Sequence, residues 1–203
     1  MIIRPMTVFE REDVRKFLLD LPPEDRRNRF CSTLSDAAVS SYVDGLDFVR
    51  DTILGAFDDE AQLVGLAELV PGTEESEMAF AVRPDKRGQK VGTRLMDRLL
   101  QRARVCGVRK AVVLFLANNT PMRKLASRAG MRIRTGEGDS FGERSLQAPN
   151  AIELAQWFLE EELAHGGHFT TLNIARWRSL VTRAAATPPR LLKALSAGPV
   201  AVS

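Results

Sequence analysis

The chain has 203 residues, 44% hydrophobic and 27% charged, which is the composition of a soluble globular protein and excludes collagen, mucin-like tracts and coiled-coil rods. A chain this long buries roughly 70% of its extended surface, so it needs neither a metal nor disulfides to build a core. Its 29 basic and 26 acidic residues leave a net charge of +3, too mild for nonspecific nucleic-acid binding to lead the functional reading. The two cysteines, Cys31 and Cys106, lie far apart among apolar or helical neighbours and read as buried thiols. No apolar run approaches the roughly 18 residues of a membrane span, and the charged opening MIIRPMTVFERED lacks a signal-peptide pattern. A cytoplasmic protein with no membrane partner is expected.

In chain order, Ile2 and Ile3 open a short strand that Pro5 ends. Val14, Phe17, Leu18 and Leu21 predict a helix over residues 10–19, broken by Pro22 and Pro23. Residues 23–27 suit the start of a new turn, and a second helix is predicted from Ser35, whose hydroxyl caps it, to Asp44. Residues 49–57 and 62–70 read as an antiparallel pair joined by the polar turn Asp58-Asp59-Glu60. A further strand over 77–82 is stopped by Pro84.

Val91, Leu95, Leu99 and Ala103 recur every four residues and give the clearest helix of the chain. Gly107 is placed to close it, and residues 110–116 read as a buried strand, completing a βαβ-like unit. Thr120 is the predicted N-cap of the next helix, with Pro121 at the first helical position and Met122, Leu125, Ala126 and Ala129 as its stripe up to Gly130. Strands are predicted over 131–134 and 144–147. Residues 151–163 form an amphipathic helix whose apolar content is Ile152, Leu154, Ala155, Trp157, Phe158 and Leu159. Gly166-Gly167 interrupts it, a basic helix follows over 172–185, and the tail after Thr187-Pro188-Pro189 is expected to be poorly ordered.

Charge is unevenly placed. Acidic residues gather between Asp58 and Glu77, and Arg83, Lys86, Arg87, Lys90, Arg94 and Arg98 crowd the stretch after them. Within it, Arg87-Gly88-Gln89-Lys90-Val91-Gly92-Thr93 lies between a strand and a helix. Backbone N–H groups at such a helix start converge on one point, where the helix dipole adds partial positive charge, and a pyrophosphate is the natural guest. The same turn also serves simple chain reversal. It is neither a Walker A loop nor a Gly-x-Gly-x-x-Gly fingerprint.

On these residues the chain resembles the GNAT superfamily of acyl-CoA-dependent N-acetyltransferases, closest in look to bacterial Pat-like protein lysine acetyltransferase domains. The family's pyrophosphate loop, Arg/Gln-x-x-Gly-x-Gly/Ala, reads here Arg87-Gly88-Gln89-Lys90-Val91-Gly92, with Lys90 where the family places its first glycine. The run from Asn118 to Met131 looks like the family's next block, Asn-x-x-Met/Ala-x-x-Leu ending in Gly-Phe, and the run from Leu21 to Phe30 looks like the Pat-related branch. The resemblance spans about residues 1–147. It implies an α/β (α+β) GNAT fold, a mostly antiparallel central mixed sheet flanked by helices, with a C-terminal helical extension over 148–186 and a flexible tail over 187–203.

It also implies the reaction, transfer of an acyl group, most simply acetyl, from acetyl-CoA (coenzyme A) to a primary amine of a small molecule or a protein lysine in a ternary complex. The coenzyme would be held by Phe80, Ala81 and Val82, by the loop Arg87, Gly88, Gln89, Lys90, Val91, Gly92 and Thr93, and by Asn119 and Met122. Because an amine of pKa about 10.4 is protonated at neutral pH, a base is required. Glu77 matches the carboxylate Pat-like enzymes use, with Glu68 in reserve, while a bystander in the acidic turn Glu74-Glu75-Ser76-Glu77 is the competing reading. The tyrosine that many members place in the second block is Ala126 here, and the only tyrosine is Tyr42.

Two other readings stand beside this one, a non-catalytic acyl-CoA sensor or interaction module and, further off, a basic nucleic-acid-associated protein. Glu161, His165 and His168 have a spacing that Gly166-Gly167 disrupts, so no metal is expected. Arg26, Arg27 and Arg29, like Arg176, Arg178 and Arg183, read as solvated helical faces or as a grip on an acidic partner. Trp157, Phe158, Trp177 and Leu180 read as packing residues that dock the terminal helices on the core or, in a homodimer, on a second subunit.

Overall fold

The computed structural model describes residues 1–164. The helix expected over 172–185, the tail, His165 and His168, Trp177 and Leu180, and the basic stripe Arg176, Arg178 and Arg183 lie outside the described residues. Seven strands form one sheet: β1 (Ile2–Pro5), β2 (Thr52–Phe57), β3 (Leu63–Pro71), β4 (Ser76–Val82), β5 (Lys110–Leu116), β6 (Arg132–Thr135) and β7 (Asp139–Ser145). Their order is β1-β2-β3-β4-β5-β7-β6. Every neighbouring pair is antiparallel except β4 and β5, which run parallel.

Among the described residues six α-helices accompany the sheet: α1 (Arg11–Leu19), α2 (Pro23–Phe30), α3 (Asp36–Asp44), α4 (Val91–Val105), α5 (Thr120–Arg128) and α6 (Ala151–Ala164). Each side of the sheet carries an apolar core. Leu95 and Leu99 of α4 and Ala126 of α5 pack with Met78, Val113 and Phe115, and Val14, Leu18, Val39 and Val43 of α1 and α3 pack with Ile53 and Leu66. Helix α4 seats closely on β3 because of Gly65, where a Cβ would meet Leu95 Cδ1 at 2.9 Å and Val91 Cγ1 at 3.0 Å. Its first turn is thereby fixed against the sheet.

Several sequence expectations are corrected. Residues 23–30 form a full helix, started by Pro23 with Glu24 and Asp25 in its first turn, positions where the helix dipole favours carboxylates. It buries no residue completely, so no apolar period marks it. Strand β2 begins at Thr52 and not at Val49, which is 71% exposed. Asp47 Oδ1 accepts from the N–H groups of Val49 and Arg50 at 2.9 and 3.0 Å, and this side-chain turn holds residues 47–50 out of the sheet.

The strand expected over 144–147 is β7, five residues earlier at its start. Its buried positions are Ser140 and Gly142, which give no hydrophobic alternation to read. The N-cap of α5 is Asn119, whose Oδ1 accepts from Met122 N–H at 3.1 Å, and Thr120 is the first helical residue. Cys106 is exposed and Cys31 partly so, because each sits at a helix C-cap where the chain leaves the packed face. Helix α6 is fixed to the core by Trp157, which is buried with Arg102 stacked at 5.1 Å over its ring, and by the Arg104–Glu153 ion pair at 2.8 Å. Ile152 and Leu159 face outward instead.

Candidate active site

Strands β4 and β5 pair only through Ser76–Ala111 and Glu77–Val112, although β4 continues to Val82 and β5 to Leu116. Past Glu77 the edge of β4 that faces β5 therefore has no strand partner. The two strands part, and main-chain groups along the opening are available to an extended ligand in the way a sheet edge receives an added strand. Phe80 and Val82 pack towards the α4 side of the sheet, whereas Ala81 belongs to the opposite core.

At the far end of β4 the chain makes a 3₁₀ turn over Pro84–Lys86 and enters α4. The first N–H there to find a main-chain carbonyl within the helix is that of Arg94, to Lys90 O at 3.0 Å, and Lys90 offers no side-chain cap. The N–H groups of Val91, Gly92 and Thr93 precede that first bond, which makes the helix start a ready anion-binding surface. Gly88 has φ +76°, with open space where a Cβ would stand. Lys90 itself is left-handed, φ 62° and ψ 15°, a conformation that costs an L-residue roughly 1–2 kcal/mol. This is why a glycine is the better fit there, and Lys90→Gly is expected to raise stability by about 0.5–1 kcal/mol, since glycine's chain entropy offsets part of the relief. A denaturant midpoint measures it, and an unchanged or lowered midpoint contradicts it.

The cations of the loop are mostly neutralised by the protein itself. Arg83 pairs with Asp85 at 2.9 Å, Lys86 with Asp58 at 2.8 Å, and Arg87 with Asp25 of α2. The Asp58 carboxyl is held below its ordinary range by the Lys86 ammonium. Lys90 is exposed and forms no ion pair among the described residues. The anion site predicted from the basic cluster thus rests on backbone N–H groups and Lys90 more than on the neighbouring side chains.

Glu77 is exposed at the point where β4 and β5 separate. Its side-chain face is the one carrying Glu68, because Glu68 pairs with Ala79 and Glu77 stands two residues before it. The two carboxylates have opposite surroundings. Glu68 is 1% exposed and meets Arg29 Nη2 at 2.7 Å through Oε2, and the same oxygen accepts from the Tyr42 hydroxyl, to which Arg29 also donates at 2.9 Å. Through Oε2 Glu68 thus ties α2 and α3 to β3, whereas its Oε1 is buried without a hydrogen-bond partner among the described residues.

Burial lowers the Arg29 pKa by itself, but the Glu68 carboxylate and Tyr42 outweigh it and hold the guanidinium above its ordinary value. Burial, with Glu68 beside it and Arg29 opposing, pushes the Tyr42 hydroxyl well above the usual tyrosine range. Removing one member of such a pair leaves a buried charge unpaired. Arg29→Met is expected to cost about 3–5 kcal/mol, and combining it with Glu68→Leu to recover most of that. Urea unfolding of the single and double variants tests this, and a double variant no better than the single one rejects it.

Cys31, which the sequence reading takes as a buried thiol, lies beside the opening. It ends α2 with a left-handed φ of 53°, and its thiol approaches the Leu114 carbonyl of β5 at 3.6 Å. Burial raises its pKa, with Asp139 and Glu77 adding to the effect and Arg29 and the Leu116 N–H opposing it. Glu77, Asp139, Cys31 and the half-exposed Leu114 are therefore gathered at one mouth of the gap, under the C-terminal end of α2. Among the other residues named from the sequence, Asn119 spends its Oδ1 on capping α5, and Met122 is buried in the core below it. Gln89 donates to Asp85 O at 3.3 Å. Ala126 is fully buried.

Among the described residues no group of three or more His, Cys, Asp or Glu is placed to hold a metal ion, and no helix is long and apolar enough to cross a membrane. A family model described as the acetyltransferase (GNAT) family matches residues 16–131. Of the solved structures, the GNAT domain of PAT from S. lividans is similar with a TM-score of 0.61 and 25% identity, over 71% of this chain and 89% of that one. The ribosomal-protein-alanine N-acetyltransferase from Brucella melitensis gives a TM-score of 0.56 at 19% identity, over 72% and 100%. The phosphinothricin acetyltransferase from Sinorhizobium meliloti, solved in complex with AcCoA, gives 0.55 at 15% identity, over 73% and 92%. The last two are likenesses of fold alone.

Proposed function

The chain belongs to the GNAT family of acetyltransferases, and from that premise we propose that it moves an acetyl group from acetyl-CoA to a primary amine by direct attack in a ternary complex, with Glu77 as the base. The observation that carries this is the parting of β4 and β5 between an exposed carboxylate and a helix start with unbonded N–H groups. The residues present fit the coenzyme. Val91, Gly92 and Thr93 N–H with Lys90 suit a diphosphate, Gly88 leaves room beside it, and the unpaired edge of β4 from Met78 to Val82 suits an extended pantetheine arm.

The thioester then lies towards Glu77. An alkylammonium of pKa about 10.4 carries no lone pair, so Glu77 takes its proton, directly or through one water. The neutral amine attacks the thioester carbon, the C–N bond forms, and main-chain N–H groups of β4 oppose the charge on the carbonyl oxygen. The attacking nitrogen gives up its second proton to water as the C–S bond breaks, and the coenzyme thiolate, with a pKa of about 8.5, takes a proton from water, since Ala126 supplies none. The acceptor is a small-molecule amine or a protein lysine. The mouth that receives it carries Glu77 and Asp139, which favour a cation.

Titration with acetyl-CoA, followed by thiol release with a panel of amines, tests the proposal. Binding with transfer is expected. Binding without transfer to any amine favours the acyl-CoA sensor, a reading that Ala126 at the tyrosine position supports, and absence of binding removes both.

A further inference from the structure

The sheet face that carries Glu77 continues past it onto β5, β7 and β6. Glu77 pairs with Val112, Val112 with Glu143 and Glu143 with Arg132, so these four stand in one row across four strands, with their side chains on one side. The next row on that side is Leu114, Phe141 and Arg134, and beyond it come Leu116 and Asp139. Towards β3 and β2 the same face is filled by the core under α1 and α3, and α2 packs against β4 and β5. On the other side of the gap the face is open. Leu114 is 45% exposed, Phe141 is partly exposed and Asp139 is exposed, and the side chains of Arg134 and Arg132 are 67% and 76% exposed.

This surface changes character from one strand to the next. At the gap the carboxylates of Glu77 and Asp139 favour a cation. Leu114 and Phe141, opposite one another, offer apolar area beside it. At β6 the charge reverses. Glu143 is a single carboxylate, and it meets Lys110 at 2.9 Å, Arg134 at 2.7 Å and Arg132 at 3.8 Å, while Lys110 also pairs with Glu75 at 3.0 Å. The two arginines therefore share part of one carboxylate and present excess positive charge, in forks suited to a carboxylate guest. From Glu77 to Arg132 is three interstrand steps, about 14 Å, which is the length of about four residues of extended chain.

We infer that the acceptor amine is a lysine within a protein segment lying over β5, β7 and β6: its ammonium meets Glu77, an apolar residue beside it rests on Leu114 and Phe141, and an acidic side chain about four residues away pairs with Arg132 and Arg134. This rests on the reading of function given above and chooses among the acceptors it allows. Arg132 and Arg134 touch the acceptor far from the reacting atoms, so they determine which lysine is taken and leave the chemistry of amide formation to the gap.

The test is thiol release from acetyl-CoA with butylamine and with short peptides that carry a central lysine. The fourth residue on one side or the other is glutamate, alanine or arginine, and the second residue on that side is leucine or serine. On one side of the lysine, glutamate is expected to raise kcat/KM about two- to tenfold over alanine, the range of one or two exposed ion pairs, and arginine to lower it. Leucine is expected to add about three- to tenfold over serine from the apolar area it covers. In the double variant Arg132→Ala with Arg134→Ala the ratio of glutamate to alanine peptide falls to about one, and in Arg132→Ala alone it falls partway. Calorimetric titration with acetyl-CoA checks that each variant is folded. Equal rates for glutamate and alanine peptides on both sides, no gain from leucine, a preference for glutamate that survives the loss of both arginines, or butylamine outperforming every peptide each overturns the inference. Absence of transfer to peptides and butylamine alike sinks the reading of function instead.

Discussion

Glu77→Gln is expected to lower turnover by about 10²–10⁴-fold, the usual worth of a positioned general base, while the affinity for acetyl-CoA stays as it was. The separation follows from where Glu77 stands. It is exposed at the last residue pair joining β4 to β5, on the sheet face of α1–α3, whereas the helix start that suits the diphosphate lies beyond the other end of β4. Glutamine keeps the size of the side chain and the amide hydrogen bonds, but it does not accept a proton near neutral pH. The loss should shrink as pH rises towards the pKa of the amine, because the acceptor then arrives unprotonated and needs no base. Stopped-flow or thiol-release rates over pH 6 to 10 make the comparison, and normal turnover of the variant near pH 7 removes Glu77 from the mechanism.

Gly92→Glu acts on the other substrate. A Cβ at Gly92 would find Leu125 Cδ2 at 3.7 Å and Val82 Cγ2 at 3.8 Å, ordinary contacts, so the backbone accepts a side chain and the helix survives. The effect comes from what that side chain carries. A carboxylate in the first turn of α4 occupies the surface formed by the N–H groups of Val91, Gly92 and Thr93 and repels a diphosphate. Like charges brought together at a binding surface cost several kcal/mol, so coenzyme affinity is expected to fall on the order of 10³-fold or more. Gly92→Ala, which adds the contacts without the charge, should stay within about tenfold of wild type. Equal losses in the two variants assign the effect to packing and leave the anion site without support.

The elements with a strong apolar period were legible in the sequence. Val91, Leu95, Leu99 and Ala103 marked α4, the continuous apolar run 111–116 marked β5, and Ser35 marked the start of α3, where its hydroxyl indeed accepts from Ala38 N–H at 3.2 Å. The elements that escaped are those held by polar contacts. Helix α2 shows no apolar stripe because ion pairs attach it, and β7 turns small residues inward. The turn proposed to receive the diphosphate is visible in the sequence as a glycine-bearing turn before a helix. What the residues alone did not give was the neutralisation of Arg83, Lys86 and Arg87 by Asp85, Asp58 and Asp25, since two of those partners lie 28 and 62 positions away. Glu68 and Glu77 looked interchangeable for a similar reason. Only the arrival of Arg29 from α2 and Tyr42 from α3 separates a sequestered carboxylate from an accessible one.

The single parallel joint in the sheet has a mechanical meaning. Strands β1 to β4 and strands β5, β7 and β6 form two leaves, each internally antiparallel, stitched to one another by just Ser76–Ala111 and Glu77–Val112. Helix α4, which crosses from one leaf to the other in sequence, shares the load of keeping them together. An extended guest lying in the wedge would act as mortar between the leaves, so that the reactant itself completes the sheet and the folded state tightens as the enzyme fills.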